Sequence, residues 1–281
     1  MKKILLFSIL LVSLVSIECY SQTVDTIFKM NGEILTVNVT EINESTIKFT
    51  YPGEGFTNSI GKNSVIKIKF SSGRTQEFAP ALNLINVKSC LDWENVQISN
   101  IESEVNGLMK IDNIGAKARG NTTMSSLGKL QSRTYNKVKI ETAMLGGNVC
   151  YIVNQNTEEA VSGLYSSKAP SVTISAVCYT SKKVYKHEIN YGKYNVKKIY
   201  VLQVNRYNID PFYHKTESFN ITNEMIFLEN NFPKLKLNSK NINKVNEFTI
   251  IFASQSEIIL SGVYSSRKGK KTYYNMFLEK N

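Results

Sequence analysis

The chain has 281 residues, 42% of them hydrophobic, and a formal net charge of +11. That length makes two or three domains the expectation rather than one, and the apolar fraction is ample for packed cores. After residue 17 no run reaches the roughly 18 apolar residues of a membrane helix, so no later segment reads as one. The charge is uneven: residues 182–281 carry seventeen basic against eight acidic groups, net +9, while 22–83 balance and 84–181 carry +1.

The first 21 residues read as a signal peptide. Lys2 and Lys3 form a positive start and Ile4 to Ile17 an uncharged apolar run too short to span a bilayer. Cleavage after Ser21 leaves Gln22 as the new terminus. The rival is lipidation at Cys19, which Glu18 directly before it argues against. The expectation is export to the periplasm, the outer membrane or the extracellular side.

Residues 22–80 alternate with period two throughout. TVDTIFKM runs into Asn31-Gly32, the strongest short hairpin signal. EILTVNVTEI, STIKFTY, FTNSI, NSVIKIKF and RTQEF follow, separated by turns at Pro52-Gly53-Glu54-Gly55 and Ser71-Ser72-Gly73. Five or six short strands in about 55 residues predict a small barrel or strongly bent sheet.

Residues 84–181 predict an α/β domain built on one helix. Thr134, Val138, Thr142 and Leu145 lie four apart, flanked by Leu127, Leu130 and Met144, which makes one buried stripe. Gly146-Gly147 stops the helix, and Asn148 to Val153 reads as a strand. DWENVQIS (92–99) and GLMKIDNIGAKARGN (107–121) are further strand candidates. SGLYSSKAPSVTISAVCY (162–179) reads as a hairpin. Cys90, Cys150 and Cys178 permit one disulfide at most, and otherwise behave as small buried hydrophobes. If a bridge forms, Cys150–Cys178 is the expected pair, because both lie on strands of one domain.

Residues 182–281 predict a basic β-rich domain, a sandwich or barrel, with strands in VKKIYVLQV, ESFNI, NEMIFLE, EFTIIFA, EIILSGVY and KTYYNMFLEK. Asp210-Pro211 and Asn231-Phe232-Pro233 read as breaks. The whole is α+β, mostly β.

Two stretches resemble known families. DTIFKMNGEILTVNVTEI (25–42), IKFTY (47–51) and IKIKFSSG (66–73) resemble a small β domain near the N-termini of secreted Bacteroidetes proteins. That resemblance implies an envelope setting and no chemistry. Val96 to Tyr179 resembles small envelope lipoprotein α/β domains and the YbjQ-type heavy-metal-binding family, through AMLGGNV (143–149) and AVCY (176–179). Gly147 stands where that pattern has alanine. Metal binding does not carry over, because the region has no histidine and its carboxylates lack ligand spacing.

Signals of catalysis are sparse. His187 and His214 are the only histidines, no G-x-S-x-G occurs, and GNTTMSSLGKL (120–130) fails as a phosphate loop at Thr123 and Leu130. Asp92, Glu94, Glu102 and Glu104 could supply a carboxylate pair for glycoside chemistry, but Glu102 and Glu104 read rather as alternating residues on the outer face of a strand. No cofactor or metal is expected. The candidate site is cationic and aromatic: Lys182, Lys183, Lys186, Lys193, Lys197 and Lys198 beside Tyr191 and Tyr194, and Arg267, Lys268, Lys270 and Lys271 beside Tyr273. Such surfaces suit an anionic glycan, lipopolysaccharide or a membrane surface; nucleic acid does not fit an exported chain. The expectation is therefore a non-catalytic envelope binding protein. A lipocalin-like small-ligand carrier is the alternative, and a glycan or peptide hydrolase comes third.

Overall fold

Period-two alternation in the first segment produces six short strands: β1 (Asp25–Lys29), β2 (Ile34–Ile42), β3 (Thr46–Thr50), β4 (Asn58–Gly61), β5 (Val65–Lys69) and β6 (Thr75–Glu77). The computed structural model describes residues 24–79, 82–163, 167–203, 209–212 and 214–281. Residues 1–21, read above as a signal peptide, lie outside them, Cys19 included. The strands pair in the order β4-β3-β2-β1-β5-β6, all antiparallel. Gly32 closes the β1–β2 hairpin at φ +81, a conformation glycine adopts without strain. No ladder joins β4 to β6, so the expected barrel-like closure is corrected to an open sheet. Ile27, Ile47 and Ile68 are nevertheless fully buried, in a cluster drawn only from this segment. A single sheet achieves that by curling over its own inner face, helped by the register shift in β2 between Val39 and Glu41. Asp25 pins the fold, accepting the Val39 N–H at 2.9 Å and the Ser71 N–H at 2.8 Å.

The central segment holds β7 (Gln97–Ser99), β8 (Met109–Arg119), α1 (Leu127–Met144), β9 (Val149–Glu158), the short pair β10 (Val161–Ser162) and β11 (Ser167–Lys168), and β12 (Ser171–Thr180). Ser126 caps α1, and Gly146 ends it at φ +79. The predicted stripe is the buried face. Thr134 and Thr142 satisfy their hydroxyls within the helix by donating to Leu130 O and Val138 O. The sheet order is β7-β9-β12-β8, with β7 parallel to β9. Only the end of 92–99 is a strand. Cys90–Asn95 is a 3-10 turn, because Ser89 and Asp92 form a capping box around its start.

The last segment forms β13 (Gly192–Gln203), β14 (Ile209–Phe212), β15 (Ser218–Ile221), β16 (Ile226–Glu229), β17 (Phe232–Lys236), β18 (Glu247–Ala253), β19 (Glu257–Ser265) and β20 (Lys271–Lys280). They build one open antiparallel sheet, β14-β13-β20-β19-β18-β17-β16, with β15 also on β13. The expected sandwich or barrel is corrected accordingly. The two proline stretches read as breaks are strands. Pro211 sits on the edge strand β14, and Pro233 lies outside the part of β17 that pairs with β18, so neither removes a ladder donor from the sheet interior. Asn230 and Asn231, at φ 50° and 68°, make the tight β16–β17 turn. Tyr194, Phe248, Leu260, Met276 and Leu278 fill one side of this sheet. With an unclosed sheet and a filled inner face, the cup that a lipocalin-type carrier needs is not formed among the described residues.

Packing does not stop at residue 182. Leu202 and Tyr273 belong to the core around α1, so the helix lies between the four-stranded and the eight-stranded sheets. Asn275, fully buried, accepts the Cys90 N–H at 2.8 Å and donates to Met144 O at 2.9 Å. Ser261 Oγ donates to the same carbonyl at 2.7 Å.

Candidate functional site

The cations named from the sequence do not form one surface. β13 and β20 run antiparallel with Lys198 opposite Phe277, six residues from Lys271. At about 3.4 Å per residue the two clusters are separated by about 20 Å along the sheet. Half of the first is occupied. Lys183 Nζ lies 5.5 Å from the centre of the Tyr185 ring, Lys186 Nζ donates to Ile226 O at 3.3 Å, and Lys197 pairs with Glu279 at 3.0 Å. Lys182, Lys193 and Lys198 are exposed.

Two of the aromatic assignments are corrected. Tyr194 is 0% exposed and donates its hydroxyl to Asn190 O at 2.6 Å; its ring is core, because the β13 bulge and alternation turn it inward. Tyr273 is 1% exposed and packs in the helix core, so it offers no ring face for stacking on a polymer. Tyr191 is exposed, with its hydroxyl on Asn223 Oδ1 at 3.2 Å.

The second cluster sits on the β19–β20 turn. Arg267, Lys268 and Lys270 are all exposed, and they form no ion pair among the described residues. The turn is held by Gly269 at φ +73 and by Ser266, whose N–H donates to Lys270 O at 2.9 Å. Lys271, the first residue of β20, reaches across to β8 and pairs with Asp112 at 3.3 Å. That contact bounds a cleft of about 310 Å³ between the turn, β8 and α1, lined by Asn113, Gly115, Glu141, Lys270, Lys271 and Tyr273 among others.

Glu141 is the residue that sequence reasoning missed. It is 2% exposed, on a fully buried run from Ile140 to Leu145, and faces this cleft. The only available signal was its place one step from the buried stripe. Lys137, one turn earlier, has its ammonium pushed below the usual lysine range by burial and by Arg133, with Glu141 opposing the shift. Its Nζ donates to Lys117 O on β8.

The disulfide expectation is also corrected. Cys150 and Cys178 stand directly opposite one another on β9 and β12, yet both are free thiols, as is Cys90. The Cys178 thiol donates to Thr142 O at 3.8 Å in a dry site under α1. Burial pushes Cys90 and Cys150 up to about 12 and Cys178 well above the usual thiol value, which suppresses the thiolate that disulfide exchange requires.

His187 stacks on Tyr185, and His214 Nε2 lies 3.0 Å from Lys197 O, so neither histidine lines the cleft. Among the described residues no three His, Cys, Asp or Glu side chains gather as a metal site, and no helix is long and apolar enough to cross a membrane. Gly147, where the resembling pattern has alanine, has no room for one: a Cβ would meet Cys178 Sγ at 2.3 Å and Tyr179 O at 2.9 Å. Compared with protein-family models, with curated proteins and with solved structures, the chain matches none.

Proposed function

We propose that the chain is an exported, non-catalytic envelope protein that binds an anionic partner at the cleft beside the β19–β20 turn. The observation that carries this reading is the exposure of Arg267, Lys268 and Lys270 on the turn whose Gly269 and Lys270 line that cleft, where no carboxylate among the described residues takes them up. Exposed cations on a short, well-fixed turn concentrate positive potential and attract phosphate- or carboxylate-bearing surfaces. The β13 cluster is the weaker candidate, since Lys183, Lys186 and Lys197 already have partners.

Because α1 packs against both sheets, the test uses the whole protein. Binding to anionic vesicles and to lipopolysaccharide is measured across a salt titration. It is compared for wild type, R267Q/K268Q/K270Q and K193Q/K197Q/K198Q. The reading requires steep weakening with salt and a loss confined mainly to the first triple variant. Equal binding by all three proteins removes it.

A further inference from the structure

The central sheet leaves β8 at its edge, eleven residues long and without proline. Which backbone groups face outward follows from one hydrogen bond. The Gly120 N–H donates to Pro170 O at 2.8 Å, so Gly120 faces β12, and alternation turns Ile114, Ala116 and Ala118 the same way. Asn113, Gly115, Lys117 and Arg119 therefore direct their N–H and C=O groups away from the sheet. Two local bonds agree: Lys137 Nζ takes up Lys117 O, and the Asn113 N–H turns to Asp112 Oδ1 at 2.8 Å.

A long, regular edge is normally blunted by proline, a bulge, a covering element or charged side chains, and β8 carries the last of these in Lys117 and Arg119, whose charge an acidic strand would match. On β8 the register shift lies near Asp112, and the stretch beyond it is regular through Arg119. At the centre of that stretch stands Gly115, exposed between buried Ile114 and Ala116. A glycine inside a strand weakens it and often marks a close approach by another backbone. This one opens into the cleft, across from Gly269, Lys270 and Lys271.

We propose that this edge takes an extended acidic polypeptide segment of a partner protein as an added strand, a deepening of the anionic-ligand reading above on which it rests for its charge. The ladder groups of Asn113, Gly115 and Lys117 supply the backbone contacts, with Asp112 Oδ1 giving way at Asn113 and Lys137 Nζ at Lys117. Charge selects the occupant. An added strand alternates its side chains between two faces. Here one face meets Lys270, beside Glu141 and the Lys271–Asp112 ion pair, and the other meets Lys117 and Arg119, which point opposite to buried Ala116 and Ala118. An anionic glycan matches the charge but has no alternating N–H and C=O groups.

The test uses full-length protein and a fluorescent eight-residue peptide alternating Glu with Val, read by polarisation. The same peptide N-methylated at alternate residues keeps its charge and loses its ladder. Gly115→Pro removes one outward N–H while leaving the β8–β12 bonds intact, and its folding is checked by circular dichroism. We expect the acidic peptide to bind, with about tenfold or greater weakening both for the N-methylated peptide and for G115P. Equal binding of the N-methylated peptide overturns strand addition, and that arm needs no variant to fold. Lipopolysaccharide binding without peptide binding overturns this inference alone and leaves the anionic-ligand reading standing. Loss of both sinks both. A dimer in sedimentation that G115P abolishes makes the occupant a second copy and also overturns the proposal.

Discussion

Asn275 and Met144 are 131 residues apart and joined by a 2.9 Å hydrogen bond from the Asn275 amide to the Met144 carbonyl. The bond ties the last turn of α1 to the middle of β20, in a site from which water is excluded. The same amide accepts the Cys90 N–H at 2.8 Å, so one side chain staples the helix, the 3-10 turn and the large sheet.

Replacing Asn275 with Leu should therefore destabilise the whole helix–sheet unit. The Cys90 N–H would be left buried without a partner, at a cost of about 1–3 kcal/mol. Met144 O keeps Ser261 Oγ, so the effects of N275L and Ser261→Ala should not add. Urea unfolding of both single variants and the double variant measures this. Additivity would show that the two donors act independently.

Gly147→Ala tests the tight approach between α1 and β12. The added methyl would press on Cys178 Sγ, on Thr142 Cγ2 at 2.8 Å and on Tyr179 O. The expected loss is about 1–3 kcal/mol from overpacking. Adding Cys178→Ala should restore part of it by vacating the sulfur's volume. Gly55→Ala, which meets nothing within 4 Å, should change the urea midpoint little.

The three buried thiols should be silent in the folded state. At pH 8, thiol reagents should leave Cys90, Cys150 and Cys178 unlabelled, and all three should react once guanidinium unfolds the chain. Burial holds each thiol protonated, so raising the pH to 9 should not open them. Peptide mapping in which only Cys90 takes the label after unfolding would reinstate a Cys150–Cys178 bridge.

Glu33 is held below the usual carboxylate value by its hydrogen bond and charge pairing with Lys29, and Glu158 by the Ser171 hydroxyl and Lys168. A depressed carboxylate contributes stability above its unfolded value near 4.5, and the contribution fades as pH falls through the lower folded value. Thermal midpoints should accordingly decline on the acid side, below about pH 4.5. Glu33→Gln should flatten that limb by a few tenths of a kcal/mol, a small effect because the pair is solvent-screened. A variant curve parallel to wild type at pH 3–5 would remove Glu33 from the account.

Much of the local structure is legible in the residues. All six N-terminal strands, the Asn31-Gly32 turn, the α1 stripe with its Gly146 stop, and the strands EFTIIFA and KTYYNMFLEK are local signals, set by alternation, glycine and a four-residue spacing. The misreadings came where neighbours in sequence were the wrong guide. Pro211 and Pro233 read as breaks, yet their strands need no donor at those positions. Tyr194 and Tyr273 read as surface rings, because period two says that residues alternate but not which face a distant element will cover. Glu141, Asp112 and Lys271 become neighbours only when β20 packs beside β8, which no local pattern encodes. The edge of β8 is likewise a product of sheet order. Local sequence determined the elements and the basic surplus; contacts between residues from 40 to more than a hundred apart decided which cations stay exposed, which rings are core and where a cleft opens.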